Sequence, residues 1–113
     1  MSNFKEMYTL EQRSEESEKI MSKYPGRIPI IVKPEKNIQI DKYKYLVPND
    51  LIFGQFIHII RKRVNISSKE ALFLFVEGSI PPSASYLRDI YQQKKDKDGF
   101  LYISLTNENT FGE

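Results

Sequence analysis

The chain has 113 residues, 40% of them hydrophobic with seven Phe and seven Tyr, which predicts a single domain with a packed core. It has no Cys and one His, which excludes disulfides, Cys-based metal sites and a Cys nucleophile. The formal net charge is +2, yet residues 27–64 carry eight basic and three acidic side chains. We expect this middle block to attract acidic partners, but not nucleic acid, because no base-reading motif accompanies the basic residues.

The composition also limits location and chemistry. No apolar run approaches the roughly 20 residues of a membrane span, and the first residues lack the apolar segment of a signal peptide. No carboxylates converge around the single His58, so neither an enzyme active site nor a metal or cofactor site is predicted. We therefore expect a soluble cytoplasmic protein that is not an enzyme, and His58 is expected to be a partly exposed helix residue.

Residues 3–23 predict two short helices. Asn3 with Glu6, and Thr9 with Gln12, fit the capping box, in which two residues three positions apart cap each other's backbone N–H. The sequence 24–26, Tyr-Pro-Gly, should end the second helix. The apolar anchors expected in that helix are Leu10, Ile20 and Met21.

Two strands are predicted next. Ile28 to Val32 is a run of mainly β-branched residues, in which Pro29 must occupy an unpaired position because it has no N–H. In the second strand, Lys42 to Val47, side chains should alternate between two faces. One face is expected to carry Tyr43, Tyr45 and Val47, and the other Lys42, Lys44 and Leu46. Lysines are typical of an edge strand, which is either an ordinary protected edge or a docking site for an extended peptide.

The second half predicts a long helix, a strand, a short helix and a last strand. Leu72 to Val76 reads as a buried strand and Phe100 to Leu105 as the last one. Ser83 or Ser85 should cap the short helix. The long helix is predicted by the apolar spacing of Phe53, Phe56, Ile57, Ile60 and Val64, and the short one by Leu87, Ile90 and Tyr91. The basic residues 61–63 at the end of the long helix complement the helix dipole or bind a partner.

This order of elements predicts an α+β fold, a β-grasp in which a central helix covers one face of a four-stranded mixed sheet. The two N-terminal helices should cover part of the other face. We expect one domain with three parts: an N-terminal helical extension (1–26), the β-grasp core (27–105) and a flexible C-terminal tail (106–113).

Motifs along nearly the whole chain are shared with one family. They are KYPGRIP (23–29), KYLVP (44–48), GQF (54–56), IRKR (60–63), ALFLFV (71–76), IPP (80–82), FLYI (100–103) and FG (111–112). Through them the chain resembles the ubiquitin-like autophagy modifiers of the GABARAP and microtubule-associated light-chain group, and it leans toward the GABARAP branch. The resemblance implies a ubiquitin-like β-grasp with two N-terminal helices.

The resemblance implies conjugation through a terminal glycine. A cysteine protease would cut the Gly112–Glu113 bond, and E1-like and E2-like enzymes would then transfer Gly112 to phosphatidylethanolamine. Glycine suits these steps because a residue without a Cβ lets the backbone approach closely in narrow clefts. The protein would then move from the cytoplasm to autophagosome or vesicle membranes.

The resemblance also implies binding of cargo receptors and adaptors that carry a short motif: an aromatic residue, two variable residues and an aliphatic residue, often preceded by acids. The aromatic pocket would be lined by Glu16, Ile20, Pro29, Ile31, Lys44, Leu46 and Phe100. The aliphatic pocket would be lined by Tyr45, Val47, Pro48, Leu51, Phe56, Ile59 and Ile60. Acidic partner residues would meet Arg27, Lys42, Lys44 and Arg63. Each apolar member, taken singly, is more often a core residue than a pocket residue.

Three features depart from the GABARAP branch. The loop before Asp41 is about three residues shorter, Gly99 stands where a bulky residue often precedes Phe100, and Leu10 replaces an aromatic residue. These differences leave ligand preference and the seating of the first helix open. The alternative function is an adaptor that is never conjugated and that binds peptides or the acidic surface of a cytoskeletal polymer such as the microtubule.

Overall fold

The computed structural model describes residues 3–67 and 69–107. Its elements are α1 (Phe4–Met7), α2 (Leu10–Lys23), β1 (Arg27–Pro34), β2 (Lys44–Pro48), α3 (Phe53–Arg61), β3 (Leu72–Phe75), α4 (Leu87–Lys94) and β4 (Leu101–Asn107). The strand order is β2-β1-β4-β3, with β1 and β4 parallel and the two outer pairs antiparallel. This is the predicted ubiquitin-like β-grasp with a mixed sheet.

The larger hydrophobic core lies between α3 and one face of the sheet. Phe53, Phe56 and Ile60 are fully buried there, as their helical spacing predicts. The start of α3 is fixed by the Gln55 side chain, which accepts a hydrogen bond from the Ile52 N–H at 2.9 Å. His58 is exposed on the outer face of this helix, as expected.

Pro29 lies in β1 without breaking the sheet. It is paired with Leu46 of β2, whereas the pairing of β1 with β4 begins one residue later, at Ile30. The missing N–H of Pro29 therefore faces a position that has no ladder partner, as the sequence predicts.

The N-terminal helices begin at the two predicted capping boxes. Asn3 accepts a hydrogen bond from the Glu6 N–H and Thr9 accepts one from the Gln12 N–H, and both reciprocal bonds are present. The predicted anchors of α2 are wrong in part, because Leu10 is 41% exposed. Ile20 and Met21 are half-buried, and the two buried residues of α2 are Arg13 and Ser17. The inner face of α2 is therefore polar where apolar contacts were expected.

The strand β2 begins two residues later than predicted. Tyr43 is 39% exposed, and its ring lies 6.3 Å from the ring of Phe4 on α1. The ammonium group of Lys42 lies 5.1 Å from the centre of the Tyr45 ring. Regular alternation therefore holds only from Lys44 onward, and the predicted faces of Lys42 and Tyr43 are exchanged because the chain is not yet a regular strand there.

The short helix α4 is capped differently from the prediction. It begins at Leu87 after Tyr86, and no side chain caps it. The carbonyl groups of Ser83 and Ser85 instead accept hydrogen bonds from the N–H groups of Gly54 (2.9 Å) and Phe53 (2.8 Å). The loop before α4 therefore docks on the first turn of α3. The N-cap position of α4 is occupied by Tyr86, so neither serine is placed to cap the helix.

The two C-terminal strands also end at other residues than predicted. β3 stops at Phe75, one residue early, while β4 continues through Thr106 and Asn107, which the sequence placed in the tail. These two residues are buried because they pair with Phe73 and Leu72 of β3. The rest of the predicted tail, residues 108–113, lies outside the described residues.

No helix in the described part of the chain is both long and apolar enough to cross a membrane. Within residues 3–67 and 69–107, no three His, Cys, Asp or Glu side chains come together as a metal site would require.

Candidate peptide-binding edge

The outer edge of the sheet is formed by β2, which pairs with β1 on its other side. The N–H of Val32 donates to the carbonyl of Tyr43 at 2.8 Å, which sets the phase of the ladder. Because hydrogen-bonded pairs alternate along an antiparallel ladder, Lys44 and Leu46 direct their backbone groups outward. Arg27 Nη1 donates to the Leu46 carbonyl at 3.3 Å and so occupies one of these outward groups.

On the face of β2 toward α3, the predicted aliphatic pocket residues come together. Most of them belong to the main core: Tyr45, Val47, Phe56 and Ile60 are buried. The ring of Tyr45 meets that of Phe56 edge-on at 5.7 Å, and burial raises the pKa of the Tyr45 phenol. The accessible rim consists of Pro48, Leu51 and Ile59. A ligand side chain would therefore rest on this rim, with the core residues as its floor.

On the opposite face, the predicted aromatic pocket residues surround a small second core. Ile31 and Phe100 are buried in it, and Ile20 packs against them. Pro29 is buried as well, and Leu46 is half-buried. All seven predicted members lie at this face, with α2 as one wall.

An ion pair joins two of the predicted aromatic pocket residues. Lys44 Nζ donates to a carboxylate oxygen of Glu16, and both side chains are 36% exposed. The same ammonium group lies 5.2 Å from the centre of the Phe4 ring. Lys44 therefore ties β2 to both N-terminal helices.

Phe4 belongs to this small core, although it was not among the predicted pocket residues. Its side chain is 3% exposed, and its ring meets that of Phe100 edge-on at 5.1 Å. The capping box at Asn3 placed a helix here, but one apolar residue in a four-residue helix has no periodicity from which burial could be predicted.

The helix α2 is attached to the sheet by a buried polar network. Arg13 Nε donates to Asp98 Oδ2 at 2.8 Å, and the Tyr102 hydroxyl donates to the same oxygen at 2.5 Å. The hydrogen bond to Asp98 raises the pKa of the Arg13 guanidinium. Burial, followed by the contact with Asp98, raises the pKa of the Tyr102 phenol. Both groups therefore stay protonated and donate to the carboxylate.

Gly99 allows α2 to approach closely. Its φ is +90°, and a Cβ at this position would overlap Ser17 Oγ. That hydroxyl donates to the Asp98 carbonyl at 2.5 Å. A side chain at position 99 is thus excluded by backbone conformation and by space, which accounts for the departure from the bulky residue noted in the sequence.

The four predicted basic side chains lie around β2 and differ in the partners that they already have. Lys42 lies over Tyr45, and Arg27 and Lys44 make the contacts described above. Arg63 Nη1 is 3.5 Å from Asp41, and both side chains are well exposed. Lys42 and Arg63 are therefore the more readily available cations.

A groove that the sequence did not predict lies between α1 and the β1–β2 connection. It shares Ile31 with the aromatic pocket and carries Lys33 and Lys36. Its apolar lining includes Phe4, Met7, Val32, Ile38, Ile40 and Tyr43. Its residues are scattered over 3–43, so no local pattern marks it.

The predicted cleavage and attachment residues, Gly112 and Glu113, lie outside the described residues.

Comparisons with known proteins identify the family of this chain. The family described as "Autophagy protein Atg8 ubiquitin like" matches residues 12–112. The autophagy-related protein 8 of Candida glabrata is 50% identical over 114 residues, covering 98% of this chain and 97% of the relative. That of Gibberella zeae is 50% identical over 115 residues, covering 99% and 98%.

Two solved structures have the same fold. Trypanosoma brucei ATG8 superposes with a TM-score of 0.86 at 39% identity, covering 96% of each chain. Plasmodium falciparum Atg8, in complex with a Plasmodium falciparum Atg3 peptide, superposes with a TM-score of 0.83 at 31% identity, covering 94% of this chain and 96% of that one.

The predicted lean toward the GABARAP branch is not confirmed, since the similar curated relatives are fungal Atg8 proteins. The family itself is clear, because its match spans most of the chain and half of the residues are identical in a relative of which 97% is covered. The chain therefore belongs to the Atg8 family of ubiquitin-like autophagy proteins, which are modifiers and not enzymes.

Proposed function

We propose that this autophagy protein recruits cargo receptors and adaptors through an aromatic-x-x-aliphatic motif that binds along β2. The main support is the edge position of β2 among the described residues. The backbone groups of Lys44 and Leu46 point outward there, with the main core on one face of the strand and the small second core on the other. An extended peptide would pair with these groups and place its two anchor side chains on opposite sides of the strand.

Binding would rearrange two contacts of the free protein. Arg27 would leave the Leu46 carbonyl so that a peptide N–H could donate there. The ion pair between Lys44 and Glu16 would open to admit the aromatic side chain. Lys44, together with Lys42 and Arg63, would then be available to the acidic residues that precede the motif.

We further propose that the chain is conjugated through Gly112. Cleavage of the Gly112–Glu113 bond by a cysteine protease would expose the glycine carboxylate, which E1-like and E2-like enzymes would join to phosphatidylethanolamine. The support is family membership, together with the Plasmodium falciparum Atg8 structure that contains an Atg3 peptide. The protein would then act on autophagosome or vesicle membranes as well as in the cytoplasm.

The ligand preference of the GABARAP branch stays part of this proposal. It rests on the sequence motifs, such as IPP at 80–82, while Gly99 and the short loop before Asp41 argue against it. Calorimetry with peptides from both branches' receptors would decide between them, since the preferred set should bind several-fold more tightly.

The conjugation proposal is tested by mass. The full chain is incubated with the family's cysteine protease, and we expect the loss of one Glu residue. Gly112→Ala serves as the control and should be cut much more slowly, since its Cβ hinders approach in a narrow cleft. An intact wild-type chain would contradict the proposal and favour the adaptor that is never conjugated, for instance one that binds microtubules.

The peptide proposal is tested by affinity. Leu46→Ala should weaken binding of a motif peptide at least about fivefold, because an apolar anchor wall is lost. Leu10→Ala is the matched control, since Leu10 is 41% exposed on α2 and outside both pockets. Equal affinities of the two folded variants in calorimetry would rule out the assignment of Leu46.

A further inference from the structure

The helix α2 forms one wall of the aromatic pocket but is not held in place by apolar residues alone. Glu16 and Ile20 contribute to that wall, whereas the buried side chains of the helix are Arg13 and Ser17. Both reach the turn before β4. The position of the wall therefore depends on the hydrogen-bond acceptors that this turn presents to Arg13 and Ser17.

The acceptors in that turn are the buried side-chain carboxylate and the backbone carbonyl of Asp98. The Asp98 side chain is fully buried and the Arg13 side chain is 8% exposed, with 2.8 Å between Arg13 Nε and Asp98 Oδ2. The Ser17 hydroxyl donates to the Asp98 carbonyl at 2.5 Å. Arg13 Nη1 also donates to the Tyr8 carbonyl at 2.6 Å, which ties the link between α1 and α2 to the same point.

The same carboxylate also fixes the floor of the pocket. Asp98 Oδ1 accepts a hydrogen bond from the Phe100 N–H at 2.9 Å, and Oδ2 accepts one from the Tyr102 hydroxyl. Phe100 is fully buried below the pocket. One side chain thus bonds to Arg13 of the wall and Tyr102 of β4 through its Oδ2, and to the Phe100 floor through its Oδ1.

We propose that Asp98, acting through Arg13 and Ser17, is a positioning residue for the aromatic subsite: it sets the distance between the α2 wall and the Phe100 floor. The inference rests on the proposed peptide-binding function and adds residues that are not themselves in either pocket. It also assigns a role to Gly99, whose missing side chain lets Ser17 reach the Asp98 carbonyl.

The aliphatic subsite should be independent of this network. Its rim residues Leu51 and Ile59 pack on the core at the opposite face of the sheet. Loss of Asp98 should therefore affect recognition of one anchor of the peptide and not the other, whereas a general loss of stability would affect both.

The experiment is a double-mutant cycle between protein and peptide. Asp98→Asn keeps the shape of the side chain but removes its charge and disrupts its bonds. Affinities are measured for the motif peptide, for its aromatic→Ala form and for its aliphatic→Ala form. We expect Asp98→Asn to weaken the motif peptide about tenfold and to reduce the penalty for the aromatic→Ala change by a similar factor, leaving the aliphatic→Ala penalty unchanged.

Leu74→Ala is the control for stability, because Leu74 is 1% exposed in the main core on β3, away from β2. It should leave both penalties unchanged at a temperature where circular dichroism shows the variant folded. Should Asp98→Asn fail to fold, Ser17→Ala removes the bond to the Asp98 carbonyl, together with the contact of the same hydroxyl to the Ser14 carbonyl within α2. It should give a smaller effect of the same selectivity.

The outcomes separate the two proposals. A wild-type chain that does not bind the motif peptide would overturn the proposed function, and this inference with it. A wild-type chain that binds, with an aromatic penalty that does not change in the folded variant, would overturn the positioning role alone. Equal reduction of both penalties would overturn it too.

Discussion

Two helical layers cover the two faces of the sheet, and different chemistry attaches them. On one face, α3 buries Phe53, Phe56 and Ile60 in a continuous hydrophobic core. On the other, α2 buries Arg13 and Ser17, and the apolar cluster beneath the N-terminal helices is small. The first layer depends on buried area, whereas the second depends on a few directional bonds to one turn.

This difference implies that the stability of the domain and the position of the N-terminal helices depend on different contacts. A core layer that loses a side chain weakens the whole domain, because its contacts are shared by every strand. A layer held by bonds to Asp98 can loosen while the core remains intact. The main core therefore lies behind the predicted aliphatic pocket residues, whereas the helix beside the predicted aromatic pocket residues is positioned by polar bonds.

The largest effect should come from the core layer. Phe56→Ala should lower the free energy of unfolding by about 3–5 kcal/mol, because it leaves a cavity in a close-packed core. Phe4→Ala, at 3% exposure in the small cluster, should cost less than about 3 kcal/mol, since α1 can move to fill the space. Urea denaturation measures both, and equal losses would mean that the two layers are equivalent.

The next effect tests the polar attachment. Arg13→Met should lower the free energy of unfolding by roughly 3 kcal/mol, because the buried Asp98 carboxylate loses its cation. Hydrogen exchange should show loss of protection in α2 before α3. Arg88→Met on the exposed side of α4 is the control and should lower stability by less than about 1 kcal/mol, since it removes only the cation–π contact with the Tyr86 ring. A uniform loss of protection would contradict a separately attached layer.

Substitutions at three glycines distinguish the cost of a positive φ from the cost of the close contact with Ser17. Gly99→Ala should cost about 2–3 kcal/mol, since it adds a positive φ to a close contact with Ser17. Gly78 also has a positive φ, but a Cβ added there would have no neighbour within 4 Å, so Gly78→Ala should cost about 1–2 kcal/mol. Gly26→Ala has neither feature and should be near neutral. Thermal denaturation ranks the three variants. Adding Ser17→Gly should recover part of the stability lost in Gly99→Ala, but none of that lost in Gly78→Ala.

The smallest effect is the pH dependence of the ion pair between α1 and the turn. Burial is the largest single influence and would raise the pKa of Asp96. The hydrogen bonds from Lys5 and from the Asp98 N–H, with the charges of Lys5 and Arg13, together outweigh it, and the pKa lies below its usual 3.8. Asp96 therefore stabilises the folded state above about pH 4, and this contribution is lost as the pH falls through the folded-state pKa.

Asp96→Asn should accordingly lower stability at neutral pH by up to about 1 kcal/mol, since both partners are partly exposed. The gap between wild type and variant should close near about pH 2. Urea titrations at the two pH values measure it, and a gap that does not change with pH would show that the charge of Asp96 contributes nothing.

The order of elements, the two capping boxes and the buried face of α3 followed from the sequence. Each of these depends on residues within a few positions of one another, such as Asn3 with Glu6 or Phe56 with Ile60, so local spacing carries the information. The motifs identified the family and the candidate pocket residues. The structure brings those residues, which come from several elements, to the two sides of the edge strand β2.

Only the tertiary structure decided how the N-terminal layer is attached. Arg13 and Asp98 are 85 positions apart, and both are residue types that are usually solvent-exposed, so neither spacing nor hydrophobicity marks them as a buried pair. The burial of Phe4, the exposure of Leu10 and the extension of β4 through Asn107 likewise depend on partners from distant parts of the chain. A local pattern can specify which face of a helix is apolar, but a polar contact is specified only when folding brings both partners together.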